Sequence, residues 1–356
     1  LRRLWRRLSV RIKVFPKRSW ETAAPMEAEF NPEKLNEARL WLDKHMGDKP
    51  YRFVIVRSGR LVIEWNHNID RDKRLPIASA AKSIYSNVLG IVVDEGKIPS
   101  VDARVYDYYP EMMDVPEGEG PKPGRYAFEK DRHITFRQLI GNTSGYMKPG
   151  EEPGRVFHYQ TYGMNILTHA LAKVYGFYDV NDPEGSPGFK KLIDEKLAKH
   201  IGAKWEYSLS NFKLHEKARL NVFGYYCQVH SNALDLARLG WLWCNWGRWG
   251  KSQIIPEAWM RESVRTNPDI LANCPEEDRK YGYGFWTNDH GQLWPDLPRD
   301  GFAASGAGGH YVTVFPHLDL VIVQSPGPYG KDATGTTARG NPELLKLVLD
   351  AVRSPS

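Results

Sequence analysis

Cysteine is nearly absent: Cys227, Cys244 and Cys274 are the three in 356 residues. They are too few and too scattered for a disulfide scaffold or a zinc site, so neither an oxidising nor a reducing compartment is excluded. No run approaches the ~18 apolar residues of a transmembrane helix. A distributed excess of positive charge is also missing. The net charge is +6, yet residues 1–18 hold Arg2, Arg3, Arg6, Arg7, Arg11, Lys13, Lys17 and Arg18 and no acid, a charge of +8. The remaining chain therefore stands at −2, the difference between those two values. It offers no basic face for a nucleic acid. Several chemical signatures fail as well. Gly250-Lys251-Ser252 ends like a phosphate loop, but Asn245 stands where the loop's first glycine belongs. Gly306, Gly308 and Gly309 do not complete a dinucleotide fingerprint, and no Gly-x-Ser-x-Gly elbow occurs. His67 has no second metal ligand near it in sequence and reads as a turn residue. Asn142-Thr143-Ser144 is a glycosylation sequon by pattern only.

What is present fits two domains of roughly 150 residues or one large one. A chain that is 41% hydrophobic and 26% charged folds rather than stays disordered. Leu1, Leu4, Trp5, Leu8, Ile12 and Phe15 recur at helical spacing inside the basic segment. A helix there would be amphipathic and would lie on an anionic membrane surface; a disordered basic tail is the competing reading. The chain opens on Leu1 rather than Met, so a targeting segment ahead of it is an open expectation. Periplasmic, secreted and cytoplasmic locations all stay open.

Apolar spacing predicts helices over residues 32–45, 79–95, 135–141, 162–174, 187–200, 232–245 and 342–352. Phe53-Val54-Ile55-Val56 and Leu61-Val62-Ile63 flank Arg57-Ser58-Gly59-Arg60 and predict a β-hairpin. Strand-like runs return at 284–286, 311–315 and 318–324. Sheet material at both ends with helices between them predicts an α/β fold of the α+β type. Residues 1–18 read as a basic amphipathic tail, 19–75 and 256–356 as one α/β domain built from both termini, and 76–255 as a mainly helical domain.

Ser79-Ala80-Ala81-Lys82 is a Ser-x-x-Lys motif. Ser210-Asn211-Phe212-Lys213 is another, and chance alone gives about one such pair here. Context separates them. Ser79 follows the apolar Leu75-Pro76-Ile77-Ala78 and opens a long helical pattern with Ile84, Val88, Ile91 and Val92 on one side. Residues three apart share a helix face, so Lys82 Nζ can reach Ser79 Oγ. A helix N-terminus also favours developing negative charge. A serine hydroxyl needs a base to take its proton, and a lysine serves when its surroundings lower its pKa from about 10.4. Ser210 sits in a polar stretch without this setting.

With these residues the chain resembles the serine β-lactamase and penicillin-binding superfamily, in its class C-like branch. That branch includes family VIII carboxylesterases, D,D-peptidases and 6-aminohexanoate-dimer hydrolases. The resemblance runs from roughly residue 50 to 325. It includes Glu95-Gly96-Lys97-Ile98, Tyr109-Pro110-Glu111, the run from Ile134 to Ile140 leading to Thr143-Ser144-Gly145, Asp235-Leu236-Ala237-Arg238-Leu239-Gly240 and Ile254-Ile255-Pro256-Glu257. It implies a β-lactamase/transpeptidase-like fold: an antiparallel sheet flanked by N- and C-terminal helices, plus an inserted helical domain.

The resemblance also implies roles. Ser79 is the acylated nucleophile, and Lys82 with Tyr159 relays its proton. Tyr159 lies in Pro153-Gly154-Arg155-Val156-Phe157-His158-Tyr159-Gln160-Thr161, with Tyr162 a nearby competitor; Thr161 stands where the family usually has Asn. Ala304-Ser305-Gly306 matches the third motif. The N–H groups of Ser79 and Ala307 would make the oxyanion hole, with Thr161, Ser305, Gly306 and His310 binding substrate. No metal or organic cofactor is implied. The substrate is a small ester or amide, with a β-lactam, a D,D-peptide or a non-catalytic sensor role as alternatives. The family's third motif opens on a cation that helps hold a substrate carboxylate, and Ala304 has none. That predicts a preference for uncharged substrates, unless His310 or an arginine from a loop replaces the cation.

Overall fold

The computed structural model describes residues 12–210, 220–224, 226–330 and 339–353. Its centre is a six-stranded antiparallel sheet. β1 (Tyr51–Arg57) and β2 (Arg60–His67) form the N-terminal hairpin. β3 (Trp286–Thr287), β4 (Phe302–Gly306), β5 (His310–Phe315) and β6 (Leu320–Gln324) come from the other end of the chain. The order across the sheet is β2-β1-β6-β5-β4-β3. β1 thus lies against β6, Phe53 opposite Gln324 and Arg57 opposite Leu320. A smaller sheet of Leu75–Pro76, Tyr226–Ser231 and Glu206–Ser210, which the apolar pattern does not announce, starts at the boundary of the region read as helical and has its other two strands inside it.

The helices that place the core and the site are α1 (Pro32–Met46), α2 (Ala81–Asp94), α3 (Phe136–Ile140), α4 (Tyr162–Val174), α5 (Ala233–Cys244), α6 (Glu257–Ser263), α7 (Pro268–Asn273) and α8 (Pro342–Asp350). α1 starts where the Asn31 side chain accepts from the amides of Glu33 and Lys34, with proline in the first turn. Its Leu35, Ala38, Leu42 and Met46 pack with Leu344, Leu345 and Val348 of α8 over one face of the sheet, on Phe53, Ile55, Phe315, Leu320 and Ile322. Each such aliphatic or aromatic side chain contributes roughly 1.5–3 kcal/mol when fully buried.

The other face presents Val54, Val56, Val312, Val314, Val321 and Val323 to α5 and α2. Gly240 lets α5 settle on the strands, because a Cβ there would come within 2.4 Å of Val321 Cγ1 and 2.8 Å of Val312 Cγ1. α2 is buried from Ala81 through Val92. A helix buried on every side lies in a core, its polar Lys82, Ser83, Ser86 and Asn87 included, and this one carries Ser79 at its head.

The amphipathic helix expected near the N-terminus is not what residues 12–18 form, and residues 1–11 lie outside the described residues. Residues 12–18 run without helix across α5. Val14 N–H donates to Ser58 O (3.0 Å) and Val14 O accepts from Trp241 Nε1 (2.8 Å). Arg238 donates to Pro16 O and Arg18 O at 3.2 and 3.3 Å. The Phe15 ring lies 5.9 Å from Trp241 and 5.5 Å from Trp249, and Lys13 pairs with Asp319 at 2.7 Å. Backbone carbonyls given to α5 are unavailable to an i→i−4 ladder, so docking wins over helix propensity.

Candidate active site

Ser79 sits in a 3-10 turn (Ala78–Ala80) that leads into α2. The turn is tied down by Ile77 N–H donating to Val229 O at 2.9 Å. Ala78 has φ +49°, a left-handed conformation that costs a side-chain-bearing residue of order 1 kcal/mol and persists only where surroundings over-determine it. On the other side the end of β4 closes in. A Cβ on Gly306 would lie 2.0 Å from Ile77 O, so only glycine allows β4 and the serine turn to touch. Ser79 stays partly exposed. Lys82, one turn on, is 1% exposed. Its Nζ donates to Ser79 Oγ at 2.8 Å, reaches Thr161 Oγ1 at 3.5 Å and lies 4.6 Å from the centroid of the Tyr159 ring. No carboxylate pairs with Lys82 among the described residues.

Tyr159 is carried by a loop rather than a helix, and Asn142 fixes that loop. Asn142 has φ +56°, a region asparagine tolerates better than most residues. Its carbonyl accepts from His158 N–H at 2.9 Å and its Oδ1 from Gln160 N–H at 2.9 Å, so the two neighbours of Tyr159 hang on one side chain and its own backbone. Thr143 O accepts from Gly154 N–H at 2.7 Å, and Thr143 Oγ1 donates to Asp269 at the start of α7 at 2.9 Å. Asn142 is 1% exposed, so the sequon reading gives way to a structural one. His158 turns to Glu151, with Nδ1 3.2 Å from its carboxylate. The Tyr159 ring packs on Tyr281 (5.8 Å, edge-on) and Trp286 (5.5 Å).

On β4, which carries the third motif, Ala304 is buried in the core shared with α2, and Ala307 is exposed in the turn that follows. Ser305 Oγ accepts from Arg339 at 3.1 Å. His310 does not replace the missing cation. It is 5% exposed, with Nδ1 2.9 Å from Ser325 Oγ. Burial, with Arg52 nearby, holds its pKa down to about 4, so it is neutral near pH 7. Tyr226 is buried beside Tyr85. The second Ser-x-x-Lys motif is not brought to the site: Ser210 ends a strand of the small sheet, while Lys213 lies outside the described residues.

Sequence reasoning missed Asn142, Tyr281 and Arg339 as neighbours of Tyr159. None has a local pattern to betray it: Asn142 looks like a turn residue and Arg339 like the lead-in to α8.

Comparison with known proteins follows the same lines. The family model described as Beta-lactamase matches residues 51–325. Beta-lactamase-like protein 1 of Dictyostelium discoideum is 34% identical over 112 residues, which are 29% of this chain and 17% of that protein. The chain thus spans only 17% of that relative's length. Among solved structures, a family VIII carboxylesterase superposes with a TM-score of 0.64 at 19% identity, over 94% of this chain and 98% of that one. A penicillin-binding protein homologue from Caulobacter crescentus gives a TM-score of 0.60 at 15% identity, over 84% of this chain and 92% of that one. At these identities the structural likeness is one of fold.

Proposed function

Because this chain belongs to the Beta-lactamase family, we propose that it is a serine hydrolase that cleaves an ester or amide bond through an acyl-Ser79 intermediate. The observation that carries the reading is the 2.8 Å contact between buried Lys82 Nζ and the Oγ of a partly exposed Ser79. The nucleophile faces solvent while its base is shielded from it.

In this scheme Ser79 Oγ attacks the carbonyl carbon as its proton passes to the Lys82–Tyr159 pair. The carbonyl oxygen becomes an oxyanion held by the N–H groups of Ser79 and Ala307; one such donor is worth roughly 3–4 kcal/mol. The relay returns the proton to the leaving oxygen or nitrogen, the bond to it breaks, and acyl-Ser79 remains. Water then attacks the acyl carbon, gives its proton to the same pair, and Ser79 leaves with a proton restored. Positioned proton transfer of this kind supplies about 10²–10⁴ in rate. Thr161, within reach of Lys82, offers the acyl group a hydroxyl that both donates and accepts.

The test is turnover of a short-chain p-nitrophenyl ester by Ser79→Ala. A loss of about a thousandfold or more with an unchanged circular dichroism spectrum is expected. Turnover at the parent rate in that variant would overturn the reading.

A further inference from the structure

The two N–H groups that would hold the oxyanion come from segments far apart in the sequence. Ala307 is exposed, and Gly308 and Gly309 follow it with φ +89° and +75°. A turn of such small residues takes its direction from what it rests on. Gly309 lies against Gly327, where a Cβ would come within 2.1 Å of Gly327 O. His310 pairs with Gly306 at the start of β5, and its Nε2 lies 3.2 Å from the place of a Cβ on Gly308. The imidazole therefore backs the turn. Its Nδ1 lies 2.9 Å from Ser325 Oγ, and Ser325 is fully buried.

Arg52, 1% exposed, stands behind Ser325. Its Nε donates to Ser325 O at 2.5 Å, and its backbone O accepts from Ser325 N–H at 3.1 Å. Its Nη1 donates to the carbonyls of Asp70, Arg71 and Lys73 at 3.2, 3.2 and 2.6 Å. Lys73 lies two residues ahead of the short strand Leu75–Pro76 that leads to Ser79. One guanidinium thus ties the approach to the nucleophile to the segment that holds the β4–β5 turn. No carboxylate of a described residue pairs with Arg52, and its Nη2 has no hydrogen-bond partner among the described residues. Burying a cation this way is unfavourable, and burial pulls its pKa down to about 10, with Asp70 and Asp72 acting against that. An apolar side chain would fill the place without that cost. What it would lack is a rigid fork that fixes carbonyls on two segments at set angles.

We infer that Arg52, Ser325 and His310 are positioning residues for the oxyanion hole: they set the aim of the Ala307 N–H relative to that of Ser79. This rests on the hydrolase reading. It moves His310 from the substrate-binding role that the resemblance implies to one behind the turn. Oxyanion donors act only when aimed at one point, and a misplacement of about 1 Å costs on the order of a hundredfold in rate.

A pair of esters that differ only in the carbonyl atom tests it. p-Nitrophenyl butyrate develops an oxyanion, whereas p-nitrophenyl thionobutyrate places sulfur there, a poor hydrogen-bond acceptor, and both release p-nitrophenolate. Relative to alkaline hydrolysis, the parent protein should favour the oxygen ester. Ser325→Ala removes the Oγ beside His310 and keeps the carbonyl that Arg52 holds. It should lower kcat and kcat/KM on the oxygen ester by about tenfold, with KM nearly unchanged, and alter the thionoester by less than about twofold. His310→Ala should do the same, and His310→Gln, which keeps a polar side chain, should hold an intermediate ratio. Should one of the two alanine variants not fold, the other still reads the ratio. Equal losses on both esters would make these residues mere structural supports and overturn the inference, as would no loss in either variant. A loss confined to KM would return His310 to the substrate. A parent protein that does not favour the oxygen ester would overturn the oxyanion hole and this inference, while leaving acyl-Ser79 intact. No turnover of either ester would overturn the hydrolase reading and this inference with it.

Discussion

Lys82 has two hydroxyls and an aromatic ring around its ammonium, and in the proposed scheme it works with them as a unit rather than as a lone base. Ser79 Oγ, Thr161 Oγ1 and the Tyr159 ring all lie within 5 Å of its Nζ. Groups that act together lose function together, so single and double variants should not multiply. Lys82→Ala, Tyr159→Phe and the double variant should show kcat losses within about threefold of one another on a p-nitrophenyl ester. A double loss equal to the product of the single losses would mean two independent roles. At this scale the Ser79–Lys82 contact was legible, because residues three apart on a helix must share a face. Arg339 was not, because its approach to Ser305 is made by the fold of the whole sheet and by no local spacing.

Two elements are held in place by contacts that propensity does not announce. One is the loop from residue 142 to 160. Asn142→Gly keeps the left-handed backbone but removes the Oδ1 acceptor for Gln160 N–H. It should lower kcat by roughly tenfold with little change in KM, because Tyr159 is no longer bracketed on both sides. Asn142→Asp keeps the acceptor and should recover most of that rate; equal losses in both variants would show that the acceptor is not what matters. The other element is the N-terminal strap over α5. Phe15→Ala removes the ring packed on Trp241 and Trp249. At ~1–2 kcal/mol for a partly buried aromatic, the melting temperature should fall by about 2–4 °C. No change would mean that the strap is only loosely held. The strap was illegible because an apolar period fits both a surface helix and an extended segment whose residues meet two tryptophans. β4 escaped the apolar pattern for a related reason. Phe302-Ala303-Ala304-Ser305-Gly306 has no β-branched residue, so strand propensity is weak, and only the match to the third motif marked the segment. The hairpin of β1 and β2, by contrast, is rich in Val and Ile and was plain.

At the scale of the molecule, one core runs from the inner face of the sheet through α2 into the helical region, and a second lies under α1 and α8. Ser79 opens the helix at the centre of the first core, while α8, which follows Arg339, packs in the second. Stability should carry a corresponding pH signature. Burial holds His310 and His169 down to about 4, below the ordinary ~6.5. Their stabilising contribution is thus full above about pH 6.5 and lost as pH falls towards 4. Burial raises the carboxyls of Asp131 and Asp235, which acts in the opposite sense, so the clean observable is a difference. In urea unfolding, the destabilisation caused by His310→Asn should shrink by about 2–3 kcal/mol between pH 7 and pH 4. A difference constant with pH would show that His310 is not held neutral.

The acyl-Ser79 intermediate is tested most directly by covalent capture. The protein is incubated with a fluorophosphonate, which loses fluoride as a serine oxygen bonds to phosphorus, and the modified peptide is identified by mass spectrometry. A single adduct on Ser79 is expected, absent in Ser79→Ala and slowed in Lys82→Ala. An adduct on Ser210 or another serine, or undiminished labelling of Ser79→Ala, would contradict the mechanism.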